Sequence, residues 1–160
     1  VLDADGLNLL AEDAAAERLR DVRCVLTPHP GEAARLLGRG TAEIERDRLG
    51  AVRELAARFA AVAVLKGAGT LIAAPEGSTA GAPAVAVCDY GNPGMATAGV
   101  GDVLSGVLGG LLAQLREPSL GARVGVLLHA LAGDDAAAEG ERGTVAADLL
   151  PALRRWANPR

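Results

Sequence analysis

Aromatic side chains are almost missing from this chain, with one Trp, one Tyr and one Phe among 160 residues. A core cannot be built around large rings here, so Ala, Val and Leu have to fill it, packed closely between helices and strands. Cysteine is nearly as scarce. Cys24 and Cys88 lie far apart inside apolar runs, with no His or second Cys at ligand spacing. That excludes a zinc knuckle or a disulfide scaffold and predicts two buried free thiols. Basic residues form no stripe and the formal net charge is -4, which leaves a nucleic-acid surface without its phosphate-neutralising residues. Apolar runs are broken by Gly, Asp, Arg or Lys well before the ~18 residues that a bilayer-spanning helix needs. A cationic stretch followed by an apolar one and a small-residue cleavage site is missing too, as are repeats and low-complexity linkers. The expectation is one soluble, cytoplasmic unit that handles small molecules and binds neither nucleic acid nor membrane.

Glycine is abundant, at 21 residues, and half of the chain is hydrophobic. Short apolar runs at 22–26 (VRCVL), Val62–Leu65, 71–74 (LIAA) and Val85–Cys88 are bounded by turn residues and read as buried strands. Thr41, Glu43 and Glu45 open a helical segment in which Val52, Leu55, Ala56 and Phe59 recur on one face. Asp102 opens a second helix that runs to about Leu115. Ser119 opens a third, with Val124, Leu127, Leu128 and Leu131 expected on its buried side. Strands alternating with helices predict α/β layering, while 65–88 reads as a meander, so a mixed sheet is expected. Pro75-Glu76-Gly77-Ser78 reads as a turn. Val1-Leu2-Asp3 reads as the end of a strand, without a methionine or a polar lead-in, which suggests a start inside a domain.

Four segments carry residues suited to chemistry. In Asn92-Pro93-Gly94-Met95-Ala96-Thr97-Ala98-Gly99-Val100-Gly101-Asp102, a glycine-bearing loop runs into a helix that starts with a carboxylate. Unpaired amides and the positive end of the helix dipole favour a phosphate there, and Asp102 beside it is placed to take a proton from an attacking hydroxyl. Taken alone, the same residues also serve as a cap and a turn. Leu65-Lys66-Gly67-Ala68-Gly69-Thr70 ends a strand in a lysine and a glycine turn, which suits a nucleotide contact or an ordinary turn. Thr27-Pro28-His29-Pro30-Gly31-Glu32 presents His29 between two prolines at a strand's carboxyl end, where open α/β sheets bind ligands. Asp3-Ala4-Asp5-Gly6-Leu7-Asn8 suits either an Asx turn or a water-mediated contact to metal or phosphate. His129, among leucines in a helix, reads as a structural histidine.

In order, LDADGLN, TPHPGE, LKGAGT and NPGMATAGVGDVLSG resemble the NAD(P)H-hydrate dehydratase family of nicotinamide-nucleotide repair. The resemblance extends to His129-Ala130-Leu131-Ala132-Gly133-Asp134 and Arg142-Gly143-Thr144. It implies a ribokinase-like three-layer α/β/α fold with a mixed, mainly parallel sheet, the chain being an N-terminally truncated part of a single domain over 1–160. It also implies an activity: hydrated NADH or NADPH, as the S epimer, is phosphorylated on its ring hydroxyl by ADP or ATP and then loses phosphate. Asp102 would be the base facing the hydroxyl and would contact substrate together with His29. Gly101 would hold phosphate, and Lys66, Gly67, Ala68, Gly69 and Thr70 would line the nucleotide. Magnesium is implied as a cofactor, with no residue here assigned as its ligand. A homo-oligomer is implied for the full-length form, as is an epimerase partner or fused epimerase domain.

Two departures stand out. Val100 occupies a position where the family commonly has Thr or Ser, and family members carry a further stretch before DADGLN, including glycine-rich loops that contact substrate. Two alternatives stay open at this point: a ribokinase-like kinase of a vitamin-precursor alcohol, or a nucleotide-binding remnant without turnover. TPHPGE and NPGMAT favour the dehydratase.

Overall fold

The computed structural model describes residues 1–12, 19, 22–77 and 85–158. Four strands form one sheet in chain order: β1 (Val25–Leu26), β2 (Val62–Leu65), β3 (Thr70–Ala73) and β4 (Val85–Cys88). β1 and β2 pair in parallel with Val25 opposite Val62, and Leu2 adds a parallel bridge to Leu26. β2–β3 and β3–β4 are antiparallel, with Leu65 opposite Leu71 and Thr70 opposite Cys88. The sheet is mixed as expected, but among the described strands it is not mainly parallel. Only Lys66 to Gly69 separate β2 from β3, and a parallel return needs a crossover of about a dozen residues or more. Two reversals leave β4 running with β1 and β2. The carboxyl ends of Leu2, β1, β2 and β4 therefore share one side of the sheet.

Alternate strand residues face opposite layers, as the period of two demands. Leu26, Ala63, Leu65, Leu71 and Ala73 face α1 (Asp5–Glu12), α2 (Pro30–Leu37), α3 (Thr41–Arg46) and α4 (Arg48–Phe59), packing with Leu7, Leu36, Ile44, Leu55 and Phe59. Val25, Val62, Val64, Ile72 and Cys88 face α5 (Val100–Gln114) and α6 (Pro118–Ala136), packing with Leu104, Leu108, Val126 and Ala130. α7 (Leu149–Trp156) packs on α6. This is a three-layer α/β/α arrangement in which each fully buried Leu or Phe contributes ~1.5–3 kcal/mol. Both cysteines are free and buried.

Several expectations need adjustment. The first strand spans only Val25–Leu26, with Val22 exposed. β3 takes in Thr70 and ends at Ala73. Gly77 adopts φ +79° at the expected turn, of which Ser78 lies outside the described residues. The helix expected from Thr41 is two helices, broken at Asp47 (φ -136°, ψ 68°), whose carboxylate accepts the Gly50 amide at 2.8 Å and caps α4. A short acidic side chain competes with the helix for a backbone donor and so favours a break. On α6 the buried residues are Ser119, Gly121, Ala122, Gly125, Val126, His129, Ala130, Ala132 and Gly133, while Val124, Leu128 and Leu131 are partly buried and Leu127 is exposed. Close approach selects the small residues: a Cβ on Gly125 would come within 2.7 Å of Leu108 on α5.

Candidate active site

The chain leaves the sheet on one side at Asp3, His29, Lys66 and the loop after Cys88, so these motifs gather without any long excursion. Lys66 sits just past the end of β2, and its Nζ donates to Asp3 Oδ1 at 2.7 Å. Ser105 Oγ, on α5, donates to Asp3 Oδ2 at 2.8 Å. Glu32 Oε2 stands 3.9 Å from the same Lys66 amine. Burial works against the charge of Asp3, but the hydrogen bonds from Lys66 and Ser105, the lysine charge and the Ala4 amide outweigh it. The Asp3 carboxyl is held below its ordinary value. The turn that delivers it is strained, since Ala4 adopts φ +44°, a region that costs a non-glycine residue about 1–3 kcal/mol and tends to occur at functional sites. Lys66 is therefore a cation held between two carboxylates, and it borders α5: a Cβ on Gly101 would lie 3.6 Å from Nζ.

α5 starts after Gly99 (φ +84°), and its first bond runs from the Val103 amide to Gly99 O. The amides of Val100, Gly101 and Asp102 are left without an intrahelical acceptor, as at any helix start. The Asp102 side chain is exposed and, among the described residues, makes no hydrogen bond or ion pair, so it does not cap this helix. An exposed carboxylate in the same turn as free amides, one residue from the glycine that Lys66 borders, suits proton abstraction next to a bound phosphoryl group.

His29 also holds the local backbone in place. It is the N-cap of α2: Nδ1 accepts from the Gly31 and Glu32 amides at 3.0 and 3.3 Å, and its own amide donates to Glu32 Oε2 at 2.7 Å. Nδ1 being an acceptor, the neutral ring carries its proton on Nε2, which lies 3.5 Å from Glu32 Oε1 on a half-exposed side chain.

The lysine turn depends on Gly67 (φ +132°) and Gly69 (φ +65°), with Thr70 Oγ1 donating to Gly67 O at 2.9 Å. Arg48 lies across it. Its Nη2 donates to Gly69 O at 3.3 Å, and a Cβ on Gly67 would meet its guanidinium at 2.7 Å. Sequence reasoning missed Arg48, Glu32 and Ser105, and it left Asp3 between two roles. The sequence signals for Ser105 were its position one helical turn after Asp102 and its place near the end of the NPGMATAGVGDVLSG motif.

The NAD(P)H-hydrate dehydratase family matches residues 1–155 of the sequence. The chain belongs to that family. Among similar dehydratases, the ADP-dependent (S)-NAD(P)H-hydrate dehydratase of Neisseria meningitidis is 44% identical over 100% of this chain and 53% of its own length. The bifunctional NAD(P)H-hydrate repair enzyme of Coxiella burnetii is 50% identical over 99% of this chain and 31% of its own length. The Bacillus subtilis ADP/ATP-dependent NAD(P)H-hydrate dehydratase, co-crystallised with ATP and Mg2+, superposes with a TM-score of 0.76 at 32% identity, over 84% of this chain and 47% of that one. A ribokinase-like superfamily protein of Enterococcus faecalis, 28% identical, superposes with a TM-score of 0.68 over 99% of this chain and 53% of that one. The chain thus spans about half the length, or less, of the dehydratases it matches. Within this ribokinase-like dehydratase fold, the sheet side described above collects all four motifs.

Proposed function

We propose that this chain supplies the catalytic centre of an ADP- or ATP-dependent dehydratase that returns hydrated NADH and NADPH, in the S epimer, to NAD(P)H. One observation carries the reading: Asp102 stands exposed and unpaired among the described residues in the first turn of α5, next to the glycine that the Lys66 amine approaches. The ring hydroxyl gives its proton to Asp102 as its oxygen attacks the terminal phosphorus, and the bond from that phosphorus to the nucleotide's bridging oxygen breaks. The Gly101 amide and its neighbours hold the phosphoryl oxygens. Lys66, Gly67, Ala68, Gly69 and Thr70 line the nucleotide, and His29 meets the hydrated dinucleotide through Nε2. The ring nitrogen's lone pair then forms a C=N bond as the carbon–oxygen bond breaks, its electron pair leaving with phosphate. Loss of a proton from the adjacent carbon restores the ring double bond. The net change is removal of water coupled to hydrolysis of one nucleotide phosphate bond.

Among the described residues, no three His, Cys, Asp or Glu side chains cluster to hold a metal, and Asp3 and Glu32 both turn toward Lys66. A magnesium ion would enter with the nucleotide rather than be held by these side chains, and it would supply neutralisation of phosphate charge. Residues 1–160 are read as the C-terminal part of one dehydratase domain, in keeping with the half-length match. The complete protein is read as a cytoplasmic homo-oligomer. An epimerase activity, as a partner or a fused domain, accompanies it in this reading, in line with the bifunctional names of the relatives from Coxiella burnetii and Escherichia coli.

The test supplies the complete protein with hydrated NADH, magnesium and ADP or ATP, and follows recovery of nicotinamide absorbance. Wild type should restore NADH, and Asp102→Asn should lower the rate about 10²–10⁴-fold. Silence with both donors alongside phosphorylation of a vitamin-precursor alcohol would move the assignment to the kinases. Nucleotide binding without any turnover would mark a remnant.

A further inference from the structure

The loop that delivers Gly101 and Asp102 belongs to no strand. It packs against Glu141, Thr144 and Ala146, while its side-chain hydrogen bonds to the rest of the chain, among the described residues, come from one neighbouring helix. At its start, Asp134 on α6 accepts from the Gly91 amide through Oδ2 and from Asn92 Nδ2 through Oδ1, both at 3.0 Å. Asn92 Nδ2 also donates to Gly133 O at 3.0 Å, while its Oδ1 accepts the Gly94 amide. Met95 lies so close over Gly133 that a Cβ there would stand 2.2 Å from its sulfur. At the loop's end, buried His129 donates from Nε2 to Val100 O at 3.0 Å, one residue before Gly101. His129 and Asp134 are five positions apart, about 7.5 Å along the helix. Two rigid anchors on α6 therefore bracket the loop, while Ala96, Thr97 and Ala98 between them are exposed.

We propose that His129 and Asp134 are positioning residues that act through the loop, setting where the Gly101 amide and the Asp102 carboxylate stand relative to Lys66. The proposal rests on the dehydratase reading given above. It also accounts for the segment His129-Ala130-Leu131-Ala132-Gly133-Asp134, in which the two polar residues hold the ends of the loop and Gly133 makes room for its middle. A displacement of about 1 Å in a reacting group can cost about a hundredfold in rate, and removing either anchor leaves one end of the loop without that tie.

The test uses the complete protein and the variants Asp134→Ala, His129→Ala, Asn92→Ala, Asn92→Ala with Asp134→Ala, and His129→Gln, which keeps an amide donor of similar reach. Asp134→Ala and His129→Ala should each lower kcat for NADH recovery by about a hundredfold, with KM for the hydrate little changed. The double variant should lose less than the sum of Asn92→Ala and Asp134→Ala, since both deletions cut the Asn92–Asp134 hydrogen bond. His129→Gln should regain much of the loss. Unchanged kcat in the single variants, additive losses in the double variant, or no recovery with Gln would overturn the proposal, even where the melting temperature falls. Should wild type fail to restore NADH, the dehydratase reading falls by itself and ADP affinity becomes the readout. Tenfold weaker ADP binding in Asp134→Ala and His129→Ala would then support the anchors, and unchanged binding would refute them.

Discussion

Two ionisable groups, buried His129 and partly buried Asp3, tie stability to pH in the same direction. Burial, with the Lys66 charge acting in the same sense and the Val100 carbonyl opposing, lowers the His129 pKa from its ordinary value. The unfolded chain then takes up the proton first, so the stabilisation is complete above about pH 6.5 and is lost as pH falls through the lower folded value. Asp3, also held below its ordinary value, contributes stability that is present above the usual carboxylate range and disappears as pH falls through its folded pKa. Urea unfolding midpoints should therefore decline on acidification in two stages. His129→Gln should remove the upper stage and leave the lower one, and an unchanged upper stage would show that His129 does not carry it. The role of His129 as a packed structural histidine was legible from its leucine neighbours. Its partner Val100 was not, because the two meet only after α5 and α6 pack.

At the scale of elements, the legible features were those that local periodicity controls. β2 and β4 have the bounds that their apolar runs predict, and α5 starts two residues before its expected opening at Asp102. What escaped were decisions made by single side chains or by packing. Asp47 breaks a helical pattern that hydrophobic spacing alone carries straight through, and Asp47→Ala should cost about 0.5–2 kcal/mol through loss of the α4 cap, measured by chemical denaturation. No change would mean that the break is imposed from elsewhere. α6 was misread for a different reason: leucine is the stronger hydrophobic signal, but the helix pair approaches too closely for leucine to fit, and glycine and alanine take the buried side. Within the site, motif order marked Lys66, His29, Gly101 and Asp102, whereas Glu32 and Ser105 follow from how layers meet and Arg48 from how α4 lies against the lysine turn. A one-dimensional pattern does not encode such meetings.

For the molecule as a whole, the bonds that unite Asp3, Lys66 and Ser105 set an order of events. They join positions 63 and 102 residues apart, whereas the helices and the β2–β4 meander close through local contacts. Closing long loops costs entropy that is recovered only when the distant groups finally meet, and such non-local contacts slow folding. During refolding from urea, recovery of the far-ultraviolet helical signal should run ahead of recovery of ADP binding in the complete protein, and simultaneous recovery would contradict this order. Because the nucleotide site would be the last part of the chain to form, a nascent or damaged copy would not sequester nucleotide until all three layers had closed around the sheet.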